Sequence, residues 1–361
     1  MEIGGFFEFP QFDCREHRDS VYYYLINTYK GGEYSFFQDG RQSIKSVLLN
    51  INNIRDKICY LPSYLCDSIL QPFEELNLNV KFYSLQHPLE PKIEKNIENS
   101  LVYIIDYFGT QCLDEKEICH FLEKGNIIIL DITHSIFNEY RYRIKHENLY
   151  MISSLRKLFP IPDGAILYHT NSSFEAKKSF PEDYGKMLEA MLLKTFYLED
   201  TLKNEYFKNK ETKNEFLSMY RSYETSKDKG LIKIQNIPRI SVYILKNICY
   251  KKILNRRFEN LQYIYNNFHQ KDDLLYSIND LKSPFIFPII FKTQKQRDRI
   301  KKILIKNEFY TPIHWNLNNI VPEYFKYEHG ISSRILAIPI DQRYTPQDLK
   351  KLINILAREL S

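Results

Sequence analysis

The chain has 361 residues, 43% hydrophobic and 26% charged, which is ordinary globular composition. Fifty Lys and Arg against forty-five Asp and Glu give a formal charge of +5, and the basic residues are scattered among acidic ones, so no nucleic-acid stripe is built. No apolar run is long enough to cross a bilayer, and a chain of this length buries roughly three quarters of its unfolded surface, usually in more than one lobe.

Residues 1–20 read as an arm, with Gly4-Gly5 as a flexible start. The opening Met1-Glu2-Ile3-Gly4-Gly5 lacks the features of a signal peptide, and a cytoplasmic protein is expected. A short helix over 21–29 is followed by a strand at 33–37, a Gln38-Asp39-Gly40-Arg41-Gln42-Ser43 turn and a helix at 43–50, with Ile44, Val47 and Leu48 on one face. A strand, a glycine turn and a helix start can aim backbone N–H groups at a phosphate, although Asp-Gly is also an ordinary turn. The glycine is expected to permit that tight turn.

The next strand, 57–61, runs into Pro62-Ser63-Tyr64 and a helix carrying Ile69, Leu70 and Phe73. Tyr64 can lie on a ligand or in the core. Strands at 80–84 and 100–105 follow, the second ending in Asp106-Tyr107-Phe108-Gly109. A helix at 113–124 is closed by Gly125. Alternation of strand and helix to about residue 168 predicts a mostly parallel sheet. Residues 173–227 read as helical, as do 234–267 with Pro238 near a start. Strands at 285–291 and 334–340 and helices at 297–306 and 345–360 compose a smaller α+β lobe.

Six cysteines contain no C-x-x-C, and Cys112, Cys119 and His120 fit no zinc spacing, so reduced thiols and no metal are expected.

The stretch 126–167 carries the chemistry. An apolar run, Asn126 to Leu130, ends in Asp131-Ile132-Thr133-His134; a second, Tyr150-Met151-Ile152, leads into Ser153-Ser154-Leu155-Arg156-Lys157. Alone, an Asp at a strand end is often a cap and a Lys is usually solvated. Together, at the ends of successive strands, they fall where open α/β sheets bind ligands. An amine can form a Schiff base with an aldehyde cofactor, and a carboxylate near a ring nitrogen holds a proton there. At about 4 Å such a pair gains roughly 4 kcal/mol at an effective dielectric near 20, before desolvation.

The series Asp-Gly-Arg-Gln-Ser, Pro-Ser-Tyr, Tyr-Phe-Gly, Asp-Ile-Thr-His, Ser-Leu-Arg-Lys and Leu-Ala-Ile-Pro-Ile-Asp-Gln-Arg-Tyr resembles fold-type I pyridoxal-phosphate enzymes. Within them it is most similar to the DegT/DnrJ/EryC1/StrS aminotransferases, over nearly the whole chain. The resemblance implies an arm (1–20), a large cofactor-binding domain with a mostly parallel sheet (21–235) and a small α+β domain (236–361). It implies pyridoxal 5'-phosphate, with Lys157 as the Schiff-base lysine and Asp131 at the pyridine nitrogen. His134 stands where the family has a glutamine near the phenolic oxygen. Gly40, Arg41 and Gln42 would cradle the phosphate, with a hydroxyl from Ser154 or Ser153. Tyr64 would stack on the ring, and Asn236 would reach the phosphate of a neighbouring subunit.

The resemblance further implies a homodimer that transfers an amino group from glutamate or glutamine to a keto-sugar nucleotide, for surface-glycan synthesis. A decarboxylase or lyase acting on an amino acid is the alternative, for which Arg334 or Arg343 could hold a carboxylate. A degenerate, ligand-binding member is a third reading, disfavoured by the intact Asp131 and Lys157. His314-Trp315 could contact substrate or pack the lobe interface, and Arg343 is a second candidate substrate contact. The family's Gly-Glu-Gly-Gly after the lysine appears here as Pro162-Asp163-Gly164-Ala165.

Overall fold

A computed structural model describes residues 2–199, 209–268 and 274–360. In chain order, β1 (Ile3–Gly4) and α1 (Val21–Asn27) precede β2 (Glu33–Phe37), α2 (Gly40–Leu49), β3 (Ile58–Pro62), α3 (Gln71–Glu75) and β4 (Asn79–Tyr83). Two short strands, β5 (Leu85–Gln86) and β6 (Glu90–Pro91), come before β7 (Leu101–Ile105), α4 (Glu115–Glu123), β8 (Ile127–Asp131), β9 (Leu149–Ser154) and β10 (Ala165–His169). A helical region follows: α5 (Tyr184–Glu199), α6 (Lys210–Lys229), α7 (Arg239–Asn247) and α8 (Tyr250–Asn267). The chain closes with β11 (Ile286–Ile290), α9 (Gln294–Lys306), β12 (Phe309–Tyr310), α10 (Lys326–Arg334), β13 (Ile335–Pro339) and α11 (Pro346–Leu360).

The large sheet has the order β2-β10-β9-β8-β7-β3-β4. Its pairings are parallel except those of β10, which runs against both β2 and β9. The α/β architecture with a mostly parallel sheet expected from the sequence is therefore the one observed. Every residue of β7 is buried and β8 is buried from Ile127 to Leu130, as strands covered on both faces must be. Register sets Ile105 beside Asp131 and Asp131 beside Ile152, so the ends of β7, β8 and β9 meet along one edge. The helix feeding β8 is closed at its start by a capping box, Asp114 with Glu117. β11 and β13 form a separate antiparallel pair near the C-terminus, with α8 packed against α11.

Three local expectations are corrected. Helix α2 begins at Gly40, not 43, because the Asp39 carboxylate accepts from the Gln42 amide at 3.1 Å and caps it. Gly40 is the first helical residue and has no positive φ, so no tight turn depends on it. The N-terminal arm is pinned: Ile3 and Gly4 pair parallel with Phe309 and Tyr310, Phe6 stacks on Tyr220 of α6 at 4.4 Å, and Phe9 N–H donates to Met191 O of α5. Gly4, at φ +95°, leaves room for the Tyr310 carbonyl, which a Cβ would meet at 2.1 Å. Helix α10 was not expected; its stretch Lys-Tyr-Glu-His-Gly-Ile-Ser-Ser-Arg has weak apolar periodicity. The helical text over 173–227 resolves into α5 and α6, and its part 200–208 lies outside the described residues.

Candidate active site

One cavity opens at the carboxyl ends of the parallel strands. Asp39, Gly40 and Arg41 line it after β2, Cys66 and Ser68 after β3, and Ile105 at the end of β7. Asp131, Thr133 and His134 come from β8 and the turn beyond it, Ser154, Arg156 and Lys157 from β9 and its continuation. Lys227 of α6 and Trp315 complete the wall.

Asp131 is fixed by two donors. The Tyr103 hydroxyl reaches one carboxylate oxygen and the Thr133 amide the other, each at 2.9 Å. The Thr133 hydroxyl in turn accepts from the Ser154 amide at 3.0 Å, tying the β8 turn to the strand that leads to Lys157. Each carboxylate oxygen of Asp131 thus accepts one hydrogen bond, and the pair fixes the orientation of the group at the end of β8.

His134 is 3% exposed. Its ring stacks on Phe285 at 3.9 Å and lies nearly parallel to Phe108 and Trp315. Burial, then the charge of Lys157 and the neighbouring His314, hold its pKa well below the usual value, so the ring is neutral. The Phe108 amide lies 3.2 Å from Nδ1. An amide only donates, so Nδ1 accepts and the proton sits on Nε2. His134 is thus a neutral Nε2–H donor on the cavity wall. The Phe108-Gly109 turn that aims this amide requires glycine: Gly109 has φ +101°, and a Cβ there would meet Ser283 O at 1.8 Å. His314 packs 6.1 Å from His134, and burial with Lys157 lowers its pKa to about 3.

A charged cluster gathers around Lys227 and Arg41 of the cavity wall. Lys227 Nζ lies 2.6 and 2.7 Å from the two oxygens of Asp163, which is fully buried, and 3.2 Å from Asp39. Tyr223 donates to Asp163, Arg156 pairs with Glu224 at 2.9 Å, and Arg41 pairs with Asp228. Burial pushes Asp39 upward, but Lys227, the Gln42 amide and Arg41 outweigh it and hold the carboxyl below its ordinary value. Asp163 goes the other way: burial and Asp39 raise it against the pull of Lys227.

Of the residues named from the sequence, Gly40, Arg41, Asp131, His134, Ser154 and Lys157 share this wall. The others stand elsewhere. Tyr64 is fully buried behind Trp315, 5.5 Å between rings, and its hydroxyl donates to His314 O, so Trp315 rather than Tyr64 fronts the cavity. Gln42 is buried and its amide oxygen accepts from Gln235 N at 2.8 Å. Ser153 points into the core with its hydroxyl unpartnered, because side chains alternate along β9. Asn236 N–H donates to Ser179 O on an outer loop. Arg343 is consumed by Asp341, Glu8 and the carbonyls of Gly5 and Phe6, where it anchors the arm. Arg334 donates to Gly330 O of its own helix.

Sequence reasoning missed Arg156, Lys227, Asp39 and Thr133. Arg156 precedes Lys157 and Thr133 follows Asp131, so proximity was a signal for both. Lys227 is seventy residues from Lys157 with no motif around it, and only the fold brings it in. Among the described residues no group of His, Cys, Asp or Glu is arranged to share a metal ion.

No family model matches the chain, and no curated protein matches it by sequence. Solved structures do match. A DegT/DnrJ/EryC1/StrS aminotransferase from Brucella abortus superposes with TM-score 0.61 at 13% identity, covering 96% of this chain and 91% of that one. A Streptococcus pneumoniae protein assigned as a sugar aminotransferase, in its PLP form, gives TM-score 0.63 at 9% identity, covering 99% and 94%. DesI, solved in the presence of its TDP-sugar product, gives 0.61 at 10% identity, covering 94% and 83%. The chain has the fold-type I architecture of these aminotransferases.

Proposed function

We propose that the chain is a pyridoxal-phosphate-dependent aminotransferase that moves an amino group from glutamate or glutamine to a keto-sugar nucleotide. The observation that carries this is the wall shared by Asp131, His134, Lys157 and the start of α2. The fold shared with an aminotransferase in its PLP form and with one solved beside a TDP-sugar supports it.

The residues suit the cofactor. Arg41 Nε is buried without a hydrogen-bond partner on the cavity wall, a donor that a phosphate oxygen would satisfy. Beside it, a Cβ on Gly40 would come within 3.6 Å of Ser154 Cβ, so the helix start and the Ser154 hydroxyl frame one small space. Pyridoxal phosphate supplies an aldehyde that takes up amines and a ring that stores the electron pair left when a carbon loses its proton. Asp131, oriented by Tyr103 and Thr133, would hold a proton on the ring nitrogen. His134 would donate Nε2–H to the phenolic oxygen. Gly40, Arg41 and Ser154 would hold the phosphate. Lys157 would anchor the aldehyde and then move the proton between substrate and cofactor carbons.

Arg334 and Arg343, the arginines expected to hold a carboxylate in an amino-acid decarboxylase, do not line the cavity. A homodimer is supported by Phe180 and Leu231, 82% and 80% exposed, flanking the loop that carries Asn236. Six unpaired cysteines suit a reducing cytoplasm, and among the described residues no helix is long and apolar enough to cross a membrane. Protein loaded with the cofactor and given 15N-glutamate should release 2-oxoglutarate and pass the label to a keto-sugar nucleotide. Carbon dioxide release without a keto-acid product would refute the assignment.

A further inference from the structure

We propose that Lys227, carried on α6, is a phosphate-binding residue of the cofactor site, held in position by Asp163. The inference rests on the aminotransferase reading and adds a ligand that comes from a helix remote from the strand ends.

The start of α2 is an unusual phosphate cup, because its cap is a carboxylate. Asp39 lines the cavity and is kept ionised by its neighbours. A phosphate placed at the Gly40 and Arg41 amides would therefore face a negative charge at close range. Arg41 and Arg156 each spend part of their guanidinium on an acidic partner, Asp228 and Glu224. Lys227 is the cation that touches Asp39, at 3.2 Å, while lining the same cavity. Its ammonium has three donors. Asp163 takes two of them at 2.6 and 2.7 Å, and the third, whose contact with Asp39 is longer at 3.2 Å, is the one a phosphate oxygen would share.

Asp163 acts through Lys227. It is fully buried, accepts from Tyr223 and grips Nζ with both oxygens, and its backbone carbonyl accepts from Ser241 at 2.6 Å. The ammonium is thus fixed at the wall before any ligand arrives, and a preplaced charge loses less freedom on binding. Asp163 occupies the segment where Pro162-Asp163-Gly164-Ala165 departs from the family pattern. The departure and the lysine on α6 are two halves of one contact.

The test compares cofactor-free wild type with Lys227→Met, Lys227→Arg and the double variant Lys227→Met/Asp163→Asn, which removes the buried pair together and leaves no unpaired carboxylate at 163. Each protein is titrated with pyridoxal 5'-phosphate, with pyridoxal, and with inorganic phosphate, following absorbance for the first two and thermal shift for the last. Wild type should prefer the phosphate ester. Lys227→Met and the double variant should lose about 10- to 100-fold of that preference, a loss of roughly 1.4–2.7 kcal/mol, with pyridoxal itself little changed. Lys227→Arg should keep most of it, and inorganic phosphate should stabilise wild type more than Lys227→Met. An unchanged ester-to-pyridoxal ratio, or equal loss for both ligands, would overturn the proposal. Wild type that binds phosphate through Lys227 but neither pyridoxal compound would instead overturn the cofactor assignment and leave the anion site standing.

Discussion

Two neutral imidazoles packed at the cavity make folding sensitive to mild acid. His314 titrates near 3 in the folded chain, against 6.5 when free, through burial and the charge of Lys157. The unfolded chain therefore takes up a proton first. The contribution of His314 is fully present above about pH 6.5 and is lost progressively as pH falls from there toward 3. Between pH 7 and pH 5 the loss amounts to about 2 kcal/mol, by integrating the linkage relation over those two pKa values. His134, depressed for the same reasons, adds in the same direction. Urea denaturation of cofactor-free protein at both pH values gives the slope directly. Wild type should lose about 2 kcal/mol more than His314→Asn over that interval. Parallel losses in the two proteins would refute the claim that this ring is held neutral by its surroundings.

Three other outcomes follow from the same geometry. Lys157→Ala should raise the titration midpoints of both His134 and His314, because the lysine charge depresses each; imidazole NMR signals report this without any cofactor. Arg141→Met should destabilise the fold by about 3–5 kcal/mol, since it strands the fully buried Asp106 carboxylate that Arg141 pairs with; urea midpoints measure it, and a loss under 1 kcal/mol would contradict the pairing. Asp131→Asn should lower the amino-transfer rate on the order of 10²-fold or more while the Tyr103 and Thr133 contacts keep the turn folded; an unchanged rate would remove Asp131 from the chemistry.

The parts of this molecule that were legible in the sequence are those where one residue's neighbours along the chain are also its neighbours in space. Runs such as Leu101 to Ile105 and Ile127 to Leu130 announce buried parallel strands, and the residues just past them announce the cavity edge. Asp131 and Lys157 are legible in this way, whereas His134 is singled out through the family resemblance. Ser154 and Ser153 could not be separated until the pleat of β9 was known, since a one-residue shift exchanges the two faces. For Tyr64 the sequence leaves ligand and core open, and nothing in the 250 residues between it and Trp315 signals that the two rings pack together with Trp315 on the cavity wall. Arg343 is a different case. Its charge looked available, yet the arm folds back and supplies Glu8 and two carbonyls that consume it. Lys227 was invisible for the same reason: long-range packing of α6, not local pattern, brings it to Asp39 and Asp163.

The claim on which the account stands is that Lys157 is the amine that takes the cofactor. Reduction of the protein with borohydride in the presence of pyridoxal 5'-phosphate, followed by peptide mass spectrometry, tests it most directly. The account predicts a phosphopyridoxyl group on the peptide containing Lys157 and no specific label in Lys157→Ala. A label on another lysine, or none under saturating cofactor, would contradict it.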